Sequence, residues 1–190
     1  MDLIIVGVGG QGILTCSNIL AKASMNLGLN VITSEVHGMA QRGGSVEVHV
    51  RIGDVLSPLI PLGSAEAMIA LEPVEALRKV EYIGKDSLVI VNTKPIIPVS
   101  VTLGLASYPD VNEVIEAIKS VAGKVIHLNA FEIAKEAGDV RSANVVMLGA
   151  FAKHTELFTL EELEKAVKDV LPEKVHDVNL KALRLGYELA

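Results

Sequence analysis

"IIVGVGGQGILT", residues 4–15, decides how this chain begins to fold. The apolar run at residues 3–8 is bounded by glycine and too short for a helix, so it reads as a buried first strand. Gly7, Gly9, Gly10 and Gly12 then crowd residues 7–12, with Gln11 among them. Ile13, Cys16, Leu20, Ala23 and Leu27 recur three and four apart, which makes one apolar helix face, and Gly28 suits the left-handed position beyond its end. Strand, glycine turn and helix form a Rossmann-like start. The bare backbone lets an anion approach N–H groups, and the helix dipole favours negative charge there. Gly7, Gly9 and Gly12 also spell G-x-G-x-x-G, and Glu35, at the end of the next strand, matches the acid that holds a ribose in dinucleotide sites. The same glycines equally serve close packing of helix on strand. Gln11 is the unusual member, because its amide can donate to or accept from a bound group.

Beyond the helix, residues 30–36 read as a second strand. Residues 45–53 alternate Val46, Val48, Val50 and Ile52 with Glu47, His49 and Arg51, the period of a strand with one wet or partner-covered face. Gly53-Asp54 turns the chain, and "VLSPLI" (55–60) is a candidate second arm at an edge, given Pro58. Further strands are expected at 65–71, 87–92 and 124–128, with a helix opening at Pro73 and irregular or edge structure over 94–103. Asp110-x-x-Glu113 and Thr159-x-x-Glu162 resemble capping boxes. The rest is mostly helical, at about 130–137, 142–156, 159–171 and 173–188. Strands alternating with helices imply a three-layer α/β/α fold with a largely parallel, mixed sheet and a helical C-terminal part. With no repeat, low-complexity tract or long linker, residues 1–190 read as one domain.

Half the residues are apolar and mean hydropathy is positive, so the chain can bury a sizeable core. A net charge of −6, no basic block and 3% aromatics argue against nucleic acid. The first apolar run is too short for a membrane span and no basic stretch precedes it. Cys16, the only cysteine, can neither form an intrachain disulfide nor supply the thiolates of an iron–sulfur cluster. A cytoplasmic chain without a cluster of its own is expected. On the apolar helix face, Cys16 reads as a buried structural thiol.

A second polar segment follows the second strand: "SEVHGMAQRGGSVEVHV" (34–50) gathers Glu35, His37, Gln41 and Arg42 beside Gly38, Gly43 and Gly44. A guanidinium beside paired glycines can reach a phosphate or carboxylate with little steric interference. The plain alternative is a surface turn with a salt bridge, but loops rich in glycine yet charged are more often binding loops. Histidines 37, 49, 127, 154 and 176 show no metal spacing, so no metal site is expected. "SANVVMLGAF" (142–151) is apolar apart from Asn144 and a leading serine. Asn144 either caps the buried helix beginning there or reaches towards the glycine loop, the cap being the simpler reading.

Taken together and in order, "GVGGQGIL", "SEVHGMAQRGGSVEVHVRIG" and "NVVMLGA" resemble the gamma-type domain of 2-oxoacid:ferredoxin oxidoreductases. The likeness spans nearly the whole chain, and its second motif is long enough to be specific. His37 stands where relatives acting on pyruvate carry an aromatic residue, which points to the indolepyruvate branch, whose beta subunit is this domain alone. The resemblance implies decarboxylation of a 2-oxoacid on thiamine diphosphate, electrons leaving through iron–sulfur clusters to ferredoxin, and acyl transfer to coenzyme A. It places thiamine diphosphate, Mg and the clusters on a larger partner subunit of a hetero-oligomer, this chain binding none alone. It further implies that Gly7 to Gly12, with Gln11 orienting, cradle a coenzyme A phosphate or the partner's active-site surface. Arg42 would neutralise a phosphate or carboxylate, with Gln41, Gly43, Gly44 and Asn144 completing the site. Glu35 and His37 would position that loop or touch the partner. Two other readings remain: a free-standing NAD(H)-dependent Rossmann-type oxidoreductase, and a non-enzymatic nucleotide-binding module.

Overall fold

The computed structural model describes residues 1–38 and 43–190. Its strands are β1 (Asp2–Val8), β2 (Val31–His37), β3 (Ser45–Ile52), β4 (Ala67–Ala70), β5 (Leu88–Asn92) and β6 (Lys124–Leu128). They form one sheet in the order β2-β3-β1-β4-β5-β6. β1, β4, β5 and β6 are parallel neighbours, whereas β3 runs antiparallel to both β1 and β2. The sheet is thus largely parallel and mixed, as the alternation over 45–53 implies. The expected pairing of 55–60 with β3 does not form, because β1 and β2 already take both edges of β3. β2 is parallel in direction to β1 but lies one strand beyond it, so the Rossmann-like start ends with the first helix.

Eight α-helices accompany the sheet among the described residues: α1 (Ile13–Asn26), α2 (Pro73–Arg78), α3 (Val99–Thr102), α4 (Val111–Lys119), α5 (Ala130–Ala137), α6 (Ala143–His154), α7 (Leu160–Val170) and α8 (His176–Leu189). The central strands are apolar on both sides and divide their side chains between two cores. Leu3, Ile5, Val48, Ile69 and Ile90 join α1 and α5 to α8 on one side; Ile4, Val6, Met68 and Val89 join α2 and α4 on the other. α6 is apolar all round, and Ala143 to Ala152 are all buried, which requires a further layer over it. α8 supplies that layer. The helices cross so closely that a Cβ on Gly149 would strike the Leu183 carbonyl, and one on Gly186 the Val146 carbonyl.

Local signals hold where they rest on short-range geometry. Gly28 takes φ 73° after α1, Asp110 accepts from the Asn112 and Glu113 N–H groups, and Thr159 with Glu162 closes a full capping box. The polar side of β3 is covered by this chain itself. Glu47 and His49 are buried, His49 Nδ1 accepts from the Ile60 N–H at 3.2 Å, and Lys79 pairs with Glu47. Arg51 clasps Asp2 at 2.8 Å through both Nε and Nη2 and donates to the Ser57 and Leu59 carbonyls. Residues 54–60 therefore act as a cover for β3.

Candidate functional site

Parallel strands leave their carboxyl ends on one edge of the sheet, where loops meet helix N-termini. There β1, β4 and β5 open onto a cavity of about 590 Å³. The glycine loop (Gly9 to Gly12), Thr15, Gly43, Leu71, Asn92 and Asn144 line its polar side, and Phe131, Val140, Leu171, Val175 and Val178 its apolar wall.

The loop leaves the helix end open. Gly12 is the N-cap of α1 in the left-handed region (φ 77°), and no side chain caps the helix. The first-turn N–H groups of a helix lack intrahelical partners, so Ile13 to Thr15 present a positive end here. Gly10 and Gly12 N–H likewise have no partner among the described residues, whereas the Gly9 N–H donates to the Gly44 carbonyl at 2.8 Å and the Gly43 N–H to the Gly9 carbonyl at 3.2 Å. The two glycine motifs of the sequence thus meet in space.

Gln11 turns back on the chain. Its Oε1 accepts from the Val8 N–H at 2.8 Å and its Nε2 donates to the Leu71 carbonyl at 2.7 Å, leaving one amide hydrogen for a ligand. Gly7 is buried in β1 and leaves the space this amide fills, so it packs and does not line the cavity. The Leu71 carbonyl also accepts from Asn92 Nδ2 at 3.0 Å, and Asn92 Oδ1 accepts from the Ala130 N–H at 3.0 Å. One carbonyl therefore ties together the ends of β1, β4 and β5.

Asn144 reaches the glycine loop and does not cap its helix. It lies in the first turn of α6, where its Oδ1 accepts from the Val145 N–H, and its Nδ2 donates to the Gly12 carbonyl at 3.1 Å. The N-cap itself is Ser142. Cys16 is fully buried beneath, its thiol donating to the Asn144 carbonyl at 3.4 Å. Burial pushes that thiol far up, so it is no nucleophile.

Glu35 and His37 sit apart from the cavity. Both are exposed on the edge strand β2 and bond to each other, His37 Nε2 to Glu35 Oε2 at 3.0 Å. Gln41 and Arg42 lie outside the described residues. At the mouth, Arg141 Nη2 is 2.6 Å from Asp139 Oδ2; its guanidinium hydrogen-bonds the carboxyl and holds it below the usual range.

Residues not singled out in the sequence also shape the site. Asn92 ends an otherwise apolar strand, a signal that could have marked it. Glu72, 2% exposed, accepts from the Ile96 N–H at 3.3 Å, from the Tyr108 hydroxyl at 2.5 Å and from the Glu75 N–H at 3.0 Å. No local pattern announces those partners. Among the described residues, no three His, Cys, Asp or Glu side chains gather as metal ligands. An iron–sulfur cluster or a magnesium-diphosphate site does not fit the donors described here.

The family described as "Pyruvate ferredoxin/flavodoxin oxidoreductase" matches residues 2–189. The indolepyruvate oxidoreductase subunit IorB of Archaeoglobus fulgidus is 54% identical over all of this chain and 95% of its own length, and that of Methanothermobacter thermautotrophicus 44% over all of this chain and 97% of its own. The keto/oxoacid ferredoxin oxidoreductase gamma subunit of Geobacter sulfurreducens superposes with a TM-score of 0.73 at 25% identity, over 98% of this chain and 96% of that one. The 2-oxoglutarate:ferredoxin oxidoreductase of Magnetococcus marinus shares the fold at TM-score 0.73 and 22% identity, all of this chain covering 31% of that one.

Proposed function

The chain belongs to the pyruvate ferredoxin/flavodoxin oxidoreductase family, and from that premise we propose that it is the small subunit of an indolepyruvate:ferredoxin oxidoreductase. Residues 1–190 would form one domain of the gamma type, active only beside a larger subunit in a cytoplasmic hetero-oligomer. The reaction is oxidative decarboxylation of an aryl 2-oxoacid to its acyl-coenzyme A. Thiamine diphosphate with Mg and iron–sulfur clusters would be held by the larger subunit, where they would supply carbanion stabilisation and electron transfer to ferredoxin.

The observation that carries this chain's part is the uncapped N-terminus of α1 opening onto a cavity where the two glycine motifs and Asn144 converge. The N–H groups of Gly10 and Gly12 to Thr15 would hold an anionic group, a coenzyme A phosphate. Arg42, immediately before the cavity-lining Gly43, would neutralise that phosphate or the substrate carboxylate, with Gln41 beside it. The exposed pair of Glu35 and His37 would position the 39–42 segment or touch the partner. The position of Glu35 weighs against a dinucleotide site, since β3 separates its strand from β1.

Co-expression with a candidate thiamine-dependent subunit, assayed with indolepyruvate, pyruvate and 2-oxoglutarate and a viologen acceptor, tests the reading. Activity should require this chain and favour indolepyruvate. Arg42→Ala should lower kcat/KM for coenzyme A or oxoacid about tenfold or more, the loss of one or two charge-assisted hydrogen bonds. Unchanged values for both overturn that assignment, and calorimetric binding of NADH to the isolated chain would favour the free-standing oxidoreductase.

A further inference from the structure

Between β5 and α4 the chain exposes what a free-standing chain would be expected to bury. Pro95 to Pro109 contains no charged residue, yet Ile97 is 48%, Val99 73%, Leu103 67% and Leu105 78% exposed. An uncharged apolar run facing water marks an interaction site more often than a solvated loop.

This ridge is held outward. Prolines 95, 98 and 109 restrict its backbone, and the Val101 and Thr102 N–H groups close a turn on the Pro98 carbonyl. From beneath, the buried Glu72 carboxylate takes the Ile96 N–H and the Tyr108 hydroxyl, one near each end. Folding the apolar side chains inward would strip those donors from a buried charge, which is costly. The ridge is also continuous with the cavity: Ile96 lines it, as does Val140, itself 45% exposed.

We propose that this ridge, Ile97 to Leu105, is the surface on which the larger, cofactor-bearing subunit docks, closing over the mouth of the cavity. The proposal rests on the small-subunit reading given above. In the Magnetococcus marinus chain the same fold occupies 31% of one polypeptide, so there it is built beside other domains of its own chain. On the small-subunit reading, the counterpart of those domains is the larger subunit. A second copy is disfavoured, because each copy carries a net charge of −6. The ridge has no charge to steer by, so the partner face it fits is apolar and uncharged, like the core of a subunit interface.

The test is assembly of the full-length chain with the co-expressed larger subunit. Val99→Asp with Leu103→Asp, and separately Leu105→Gln, should weaken assembly at least tenfold while thermal melting of the free chain stays near wild type. Met25→Asp, 63% exposed at the far end of α1, should assemble normally. Backbone amides of residues 97–105 should gain hydrogen-exchange protection in the complex, a measurement that needs no variant. Normal assembly of the ridge variants, or unchanged exchange in the wild-type complex, overturns the docking surface and leaves the functional reading standing. Loss of self-association alone, with the larger subunit still bound, overturns it in favour of a homodimer face. Failure of the wild-type chain to assemble overturns both.

Discussion

The side-chain amide of Asn144 donates to the carbonyl of Gly12 at 3.1 Å, joining the first turn of α6 to the N-cap of α1 across 132 residues of chain. A Cβ on Gly12 would fall against that amide, so the glycine leaves room for the bond that fixes the loop. The open end of α1 is thereby aimed by α6.

Asn144→Ala should cost about 0.5–1.5 kcal/mol, the net worth of one buried hydrogen bond, because the Gly12 carbonyl loses Asn144 but keeps the Cys16 N–H. Gly12→Ala should also destabilise, by about 1–2 kcal/mol from its left-handed backbone alone. Urea denaturation checks both. In the reconstituted complex each should raise KM for coenzyme A more than it lowers kcat.

Gln11 and Asn92 share the Leu71 carbonyl, so their contributions should not add. In a double-mutant cycle of Gln11→Ala and Asn92→Ala, the coupling energy should be about 0.5 kcal/mol or more. Simple additivity in denaturant titrations would contradict the shared acceptor.

Gly149→Ala or Gly186→Ala should destabilise by about 3 kcal/mol or more, at or beyond the upper end of overpacking, because the obstruction is backbone of the facing helix. Thermal melting should show a large drop for either, and Gly123 should behave alike where its Cβ would strike the Lys85 carbonyl.

Tyr108 predicts a pH dependence. Burial, then its hydrogen bond to Glu72, raises its hydroxyl well above the ordinary tyrosine value. A group raised in the folded state stabilises fully below its unfolded pKa, and that share is lost as pH climbs above about 10. Wild type should therefore exceed Tyr108→Phe in melting temperature at pH 8, and the gap should narrow towards pH 11. A constant gap would show that the hydroxyl does not titrate with unfolding.

β1, the glycine loop and α1 are legible in the sequence because each depends on residues within a turn or two. The capping box at Thr159 and the left-handed Gly28 follow for the same reason. The gathering of Gly43 and Gly44 with Gly9 was legible only as two motifs, since their meeting needs β3 to run back beside β1. The family likeness covers nearly the whole chain because those motifs keep order and spacing, and the match over residues 2–189 agrees with it.

By itself, then, the sequence determined most of the elements, though not α3 or the state of residues 55–60, together with the mixed α/β class and the polar stretches, through short-range patterns of periodicity, caps and glycine. Tertiary structure alone decided which partners those elements took. β3 entered between β1 and β2, and its polar face was buried by residues 54–60 together with Lys79 and Asp2. The Gln11 amide was committed to Leu71, while Glu35 and His37 were left on an exposed edge. The physical reason is that a side chain's hydrogen-bond capacity is set by its type, but its partners come from strands and helices distant along the chain.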